Sequence, residues 1–142
     1  MHYYEHTVQY YETDKMKITH HSNYIRWMEE ARIDWLENLG WGFDKLESLG
    51  MISPVVEIKC KYVIPTTFHD IVTIGVKLKE YKGVKLIIEY EMKNKATGKI
   101  VAIGESVHCF TNEEGKPIMI KKQCPGFDEA LTKEMKNMKK EG

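Results

Sequence analysis

Arginine is nearly absent from this chain. Arg26 and Arg32 are the only two in 142 residues, and the 21 basic side chains are balanced by 21 acidic ones. Base-edge and bidentate phosphate recognition favour arginine. Its scarcity, with zero net charge, argues against a nucleic-acid partner and gives no attraction toward an anionic membrane surface. Cysteine is also sparse: Cys60, Cys109 and Cys124 are odd in number, far apart and without a C-x-x-C pair. That argues against a disulfide framework or zinc site and suits a reducing cytoplasm, the expected location. No stretch approaches the ~18 apolar residues of a membrane span. Met1 to His6 is neither cationic nor followed by an apolar core, so no signal peptide is expected. Repeats, low-complexity tracts and Pro/Gly-rich linkers are lacking too. One domain over residues 1–142 is expected, with about 125–142 as a peripheral helix or tail.

What is present is periodicity. Tyr4, His6, Val8 and Tyr10 alternate with Glu5, Thr7 and Gln9, predicting a first strand over about Tyr3 to Tyr10. Tyr24, Trp27, Met28, Ala31, Trp35 and Leu39 recur at helical spacing, predicting a helix from about Asn23 to Leu39. Ser22 suits its N-cap and Gly40 its stop. A short second helix is expected between Gly42 and Gly50. Val56, Ile58, Cys60 and Tyr62 begin a series of two-residue alternations. It continues through Val72 to Leu78 and Val84 to Met92, while Ile100 to Phe110 is apolar or small on both faces. Turns at Lys82-Gly83, Ala96-Thr97-Gly98 and Asn112 to Gly115 make the later strands an antiparallel meander. A polar helix over roughly Asp128 to Lys139 is expected to fray. One long early helix and a one-face-apolar antiparallel sheet predict an α+β fold with the sheet curled around the helix.

Chemistry gathers between residues 10 and 32. Tyr10-Tyr11-Glu12-Thr13-Asp14 leads into a loop that ends at His20-His21-Ser22-Asn23-Tyr24, the start of the long helix. A loop carboxylate beside a helix N-terminus sets an acid/base or nucleophile against unpaired N–H donors. Read without context, Asp14 is a turn residue bonding its own backbone. The two adjacent histidines point differently and lack a third ligand at zinc-like spacing, so no metal is expected.

In Asp14, His21, Asn23, Tyr24 and the Glu29-x-Ala31-Arg32 of the helix, the segment resembles the 4-hydroxybenzoyl-CoA thioesterase-like acyl-CoA thioesterases, which have the hotdog fold. The resemblance departs at Lys17, where that family has a glycine that lets the loop turn tightly; either a different loop geometry or an action of Lys17 on the substrate is therefore expected. The resemblance implies hydrolysis of an acyl-CoA thioester without metal or other cofactor. Asp14 would act as general base or nucleophile, assisted by His21, with the oxyanion held at the helix N-terminus. Ser22, Asn23 and Tyr24 would contact substrate, His20 would line the pocket, and Val55 and Val56 would border the acyl group. Lys82 and Lys85, with Lys79 nearby, would meet the CoA phosphates. Glu29 and Glu30 are second choices for the carboxylate, because other hotdog thioesterases place theirs on the central helix. A homodimer or homotetramer is implied, with sites between subunits. A non-catalytic acyl-thioester binder and an acyl-carrier-protein thioesterase are the alternative functions, and a hotdog dehydratase would need a longer motif that is absent.

Overall fold

The computed structural model describes residues 1–141. Strand β1 (His2–Thr7) is followed by a single 3-10 turn (Tyr10–Glu12), then helices α1 (Ser22–Asn38) and α2 (Phe43–Ser48). Strands β2 (Val55–Tyr62), β3 (Ile71–Tyr81), β4 (Lys85–Asn94) and β5 (Ile100–Cys109) come next. Helices α3 (Ile120–Gln123) and α4 (Pro125–Glu141) close the described chain. The five strands form one antiparallel sheet in the order β1-β3-β4-β5-β2. This is the α+β hotdog arrangement, a long helix held in the concave face of a single sheet.

The alternations resolve as one buried face. Val72, Ile74, Val76 and Leu78 of β3 point inward beside Leu86, Ile88, Tyr90 and Met92 of β4, all at most 2% exposed. Against them α1 sets Trp27, Met28, Ala31 and Trp35, equally buried. Each large side chain withdrawn from water in this way contributes about 1.5–3 kcal/mol. Gly104 fixes how closely α1 sits on β5: a Cβ there would lie 2.6 Å from the Met28 sulfur. Gly40 ends α1 in the left-handed conformation, with φ +84°.

Several boundaries differ from expectation. β1 stops at Thr7 because the chain turns at Gln9, whose N–H donates to the Glu12 carboxylate in a capping box; Tyr10 is thereby turned out to solvent. Ser22 is the first helical residue and not the N-cap, a place taken by His21. The C-terminal helix is longer than expected and has a buried face. Phe127 and Leu131 are fully buried and Met138 nearly so, at a spacing that the surrounding lysines and glutamates disguised. α4 packs on β3, and Tyr81 donates a hydrogen bond to Asp128.

β2 forms one edge of the sheet, and Val55, Val56, Tyr62, Val63 and Ile64 along and beyond it are 40–60% exposed. Cys60, Cys109 and Cys124 are free thiols. Among the described residues no helix is long and apolar enough to cross a membrane.

Candidate active site

The loop between the 3-10 turn and α1 folds back on itself. Thr13 bridges Thr19 in antiparallel fashion, the Asp14 N–H donates to Ile18 O at 2.9 Å, and the Lys17 N–H donates to Asp14 O at 2.9 Å. Lys17 has φ +67°. The lysine occupies the left-handed conformation a glycine would favour, at a cost of about 1–2 kcal/mol, and the loop closes with it in place. The closed loop is pinned to the chain after β2: Thr19 N–H donates to Thr66 O at 2.9 Å, and the Thr19 and Thr66 hydroxyls meet at 2.6 Å. The Tyr24 hydroxyl joins the same Thr66 oxygen at 2.9 Å.

A pocket of about 250 Å³ opens between this loop, the first turn of α1 and the end of β2. Asp14, Met16, His21, Tyr24, Tyr62 and Ile64 line it. Asp14 is half-buried and the one acidic side chain in that lining. One of its carboxylate oxygens accepts the Met16 N–H at 2.8 Å, the bond to its own backbone that a turn aspartate makes. Glu29 and Glu30 do not line the pocket; Glu30 instead accepts from the Tyr4 hydroxyl and faces the His6 ring.

At the helix start, Asn23 N–H donates to His20 O at 3.0 Å and Tyr24 N–H to His21 O at 3.3 Å. The Ser22 N–H reaches the His20 ring nitrogen Nδ1 at 3.3 Å, and the Ser22 hydroxyl pairs with that nitrogen at 2.8 Å. His20 thus caps the helix and does not line the pocket, correcting the expectation for it. The His21 N–H has no acceptor among the described residues. It is an unpaired backbone donor in a residue that lines the pocket, next to the positive end of the helix dipole. The His21 ring is exposed, stacked on His20 with centroids 4.3 Å apart. The Tyr62 hydroxyl donates to His21 O at 3.1 Å. Burial, then the neighbouring Cys60 and Tyr24, push the Tyr62 phenol up to about 12, so it stays a donor at neutral pH.

The expected site residues divide into groups. Asp14, His21 and Tyr24 meet at the pocket. Ser22 and Asn23 are beside it but serve the helix start: Asn23 Nδ2 donates to Glu12 O at 2.9 Å and His20 O at 3.2 Å, which uses both amide protons. Val55 and Val56 lie at the opposite end of β2 from Tyr62, about 23 Å away at strand rise. Lys85 and Lys82 are near that far end too, since Leu86 and Val55 both pair with His108. Lys82 is held by Glu80 at 2.8 Å and Lys79 by Glu105 at 3.3 Å. One subunit alone does not bring these residues to Asp14. Two contributors had no role in the sequence reading, Tyr62 and Glu12. For Glu12 a signal existed, the Gln9-x-x-Glu12 capping-box spacing; Tyr62 carried none beyond strand alternation.

This geometry has relatives. Residues 8–135 match the family described as the thioesterase-like superfamily. YneP of Bacillus subtilis, provisionally named an acyl-CoA thioesterase, is 33% identical over 129 residues, 91% of this chain and 94% of YneP. A DHNA-CoA thioesterase from Staphylococcus aureus superposes with a TM-score of 0.92 at 28% identity, covering 99% of this chain and 93% of that one. A gentisyl-coenzyme A thioesterase superposes with a TM-score of 0.79 at 27% identity, over 86% of this chain and 98% of the other. With its match extending over almost the whole sequence and its sheet wrapped on α1, the chain belongs to the thioesterase-like superfamily.

Proposed function

We propose that the chain is an acyl-CoA thioesterase in which Asp14 supplies the reacting carboxylate and the His21 N–H the oxyanion donor. The presence of Asp14 and of His21, with its unpaired N–H, in the lining of one pocket supports the reading. The thioester carbonyl sits with its oxygen toward the His21 N–H. Asp14 then either draws a proton from an attacking water or attacks the carbonyl carbon itself. Either route forms a tetrahedral intermediate whose negative oxygen is met by a donor already in place, and the C–S bond breaks to release CoA as the thiolate. In the nucleophilic route water afterwards cleaves the acyl–Asp14 anhydride, giving the same free acid. The Tyr24 and Tyr62 rings wall the acyl group, while the His21 ring, exposed beside the thioester position, contacts the pantetheine end of the substrate. Ser22 and Asn23 act by shaping the backbone that carries the donor.

The remaining substrate contacts come from a second copy. The exposed apolar edge of β2 is a surface that proteins cover. Antiparallel pairing of two β2 edges about a twofold sets the start of one β2 beside the end of the other. The partner's Val55 and Val56 then border the acyl group, and the partner's Lys82 and Lys85 approach the CoA phosphates. Light scattering on a dilution series checks the assembly; a 16.6 kDa monomer that retains full turnover would exclude it.

The chemistry is tested with Asp14→Asn and a panel of acyl-CoA esters assayed for thiol release. Turnover should fall by roughly 10²–10⁴, the contribution of a positioned acid/base group, with the fold intact. A folded variant within a few-fold of wild type would remove Asp14 from the reaction.

A further inference from the structure

Two residues before Asp14, Glu12 is 5% exposed and has every bond of its carboxylate accounted for. Oε1 accepts from His6 Nε2 at 2.7 Å and from the Gln9 N–H at 2.8 Å. Oε2 accepts from the indole N–H of Trp27 at 2.7 Å. The Glu12 carbonyl accepts the His20 N–H at 2.8 Å and Asn23 Nδ2 at 2.9 Å. One residue therefore joins β1, the 3-10 turn, the far end of the catalytic loop and the second turn of α1. Burial raises the pKa of such a carboxyl, but the bonds from Gln9, His6 and Trp27 outweigh it and leave Glu12 below the usual carboxylate range. A buried carboxylate costs several kcal/mol of desolvation, and an apolar residue of similar size often packs as well. What the carboxylate adds here is direction, two acceptor oxygens that hold α1 and the loop base in one relation.

We propose that Glu12 is a positioning residue for the hydrolysis: it fixes the loop carrying Asp14 against the first turns of α1, and so sets the Asp14 carboxylate relative to the His21 N–H. The proposal rests on the Asp14 reading above. Glu12 is not among the residues that line the pocket. Its effect is one of distance. Misplacing a reacting group by about 1 Å costs on the order of 10²-fold in rate, so a brace that holds such tolerances acts on turnover more than on binding. Glutamine cannot replace it, because its single acceptor oxygen can serve Trp27 or the Gln9 N–H but not both.

The test is a double-mutant cycle of Glu12→Gln and Asp14→Asn, with kcat and KM measured on an acyl-CoA and folding checked by circular dichroism. Glu12→Gln should lower kcat by about 10–100-fold and leave KM within about threefold, a split that global loosening of the fold would not produce. In the Asp14→Asn background the same change should cost almost nothing, because Glu12 acts through Asp14. Trp27→Phe removes one donor while keeping the carboxylate, and should show a smaller fall in kcat with the same lack of additivity; it decides the matter if Glu12→Gln does not fold. Wild-type kcat in the folded Glu12 and Trp27 variants, or effects that multiply in the double variant, would overturn the proposal while leaving Asp14 in place. An Asp14→Asn enzyme with wild-type turnover would overturn both readings.

Discussion

Acid should destabilise this protein through His108 before its carboxylates begin to fail. Under α1, the Arg32 guanidinium donates to the Tyr90 hydroxyl at 3.0 Å, and that hydroxyl meets the Ser106 Oγ at 2.7 Å. Ser106 Oγ in turn lies 2.7 Å from His108 Nε2. Arg32 can only donate, and the arrangement that also uses the Tyr90 and Ser106 hydroxyl protons runs them Tyr90 to Ser106 to His108, ending on a lone pair of Nε2. A protonated ring would break it and place a second cation beside Arg32. Burial first, and Arg32 second, push His108 down from 6.5 to about 3. The sign follows from linkage. Below 6.5 the unfolded chain takes a proton that the folded state refuses, so stability falls with pH down to the folded value. At about 1.36 kcal/mol per unit, moving from neutrality to pH ~4.5 costs on the order of 3 kcal/mol. That is a large share of the roughly 5–15 kcal/mol of a typical domain.

Urea unfolding at pH ~7 and ~4.5, at fixed protein concentration, reads this directly. Glutamine at position 108 keeps an acceptor for Ser106 but does not titrate, so His108→Gln should lose about 3 kcal/mol less between the two conditions than wild type. Glu12 does not confuse the comparison. Its folded pKa lies below its ordinary value of 4.5, so its contribution is present above that value and is lost only as pH falls through the lower one. Equal losses in variant and wild type would show that His108 takes up its proton freely in the fold and that the chain from Arg32 does not run as drawn.

Two further changes probe the site's surroundings. Lys17→Gly should leave stability within about 1 kcal/mol of wild type, since relief of the left-handed strain is offset by the entropy glycine loses on folding. Lys17→Val should lower the thermal midpoint, because a β-branched residue is strained at φ +67°; equal midpoints for the two would mean the loop is not held left-handed. Replacing Lys82 and Lys85 together by alanine should raise KM for acyl-CoA, less so at high salt, with kcat nearly unchanged. A short thioester without the nucleotide should be indifferent, and equal responses from both substrates would reduce these lysines to a solvated turn.

The reach of each side chain decides what the sequence reveals about such a site. β3 and β4 are legible because each has one buried face, so Val72 to Leu78 and Leu86 to Met92 write the two-residue period directly. Asp14 is legible because its loop and helix start are contiguous, and the residues that define its setting lie within a dozen positions. Its supports are not contiguous. Trp27 meets Glu12 across 15 residues, Tyr62 reaches His21 across 41, and Thr66 meets Tyr24 across 42. Local chemistry was even misleading at Ser22, a good N-cap by composition: the His20 ring accepts Ser22's own N–H, and the cap moves back to His21. The same holds at Lys17. A lysine disfavours the left-handed conformation, but the bonds from Asp14 to Ile18 and from Thr19 to Thr66 close the turn and leave the residue to bear the strain. Strain tolerated there, and a charge buried at Glu12, are both locally unfavourable, and both lie in the backbone around Asp14. A loop required only to connect β1 to α1 would need neither.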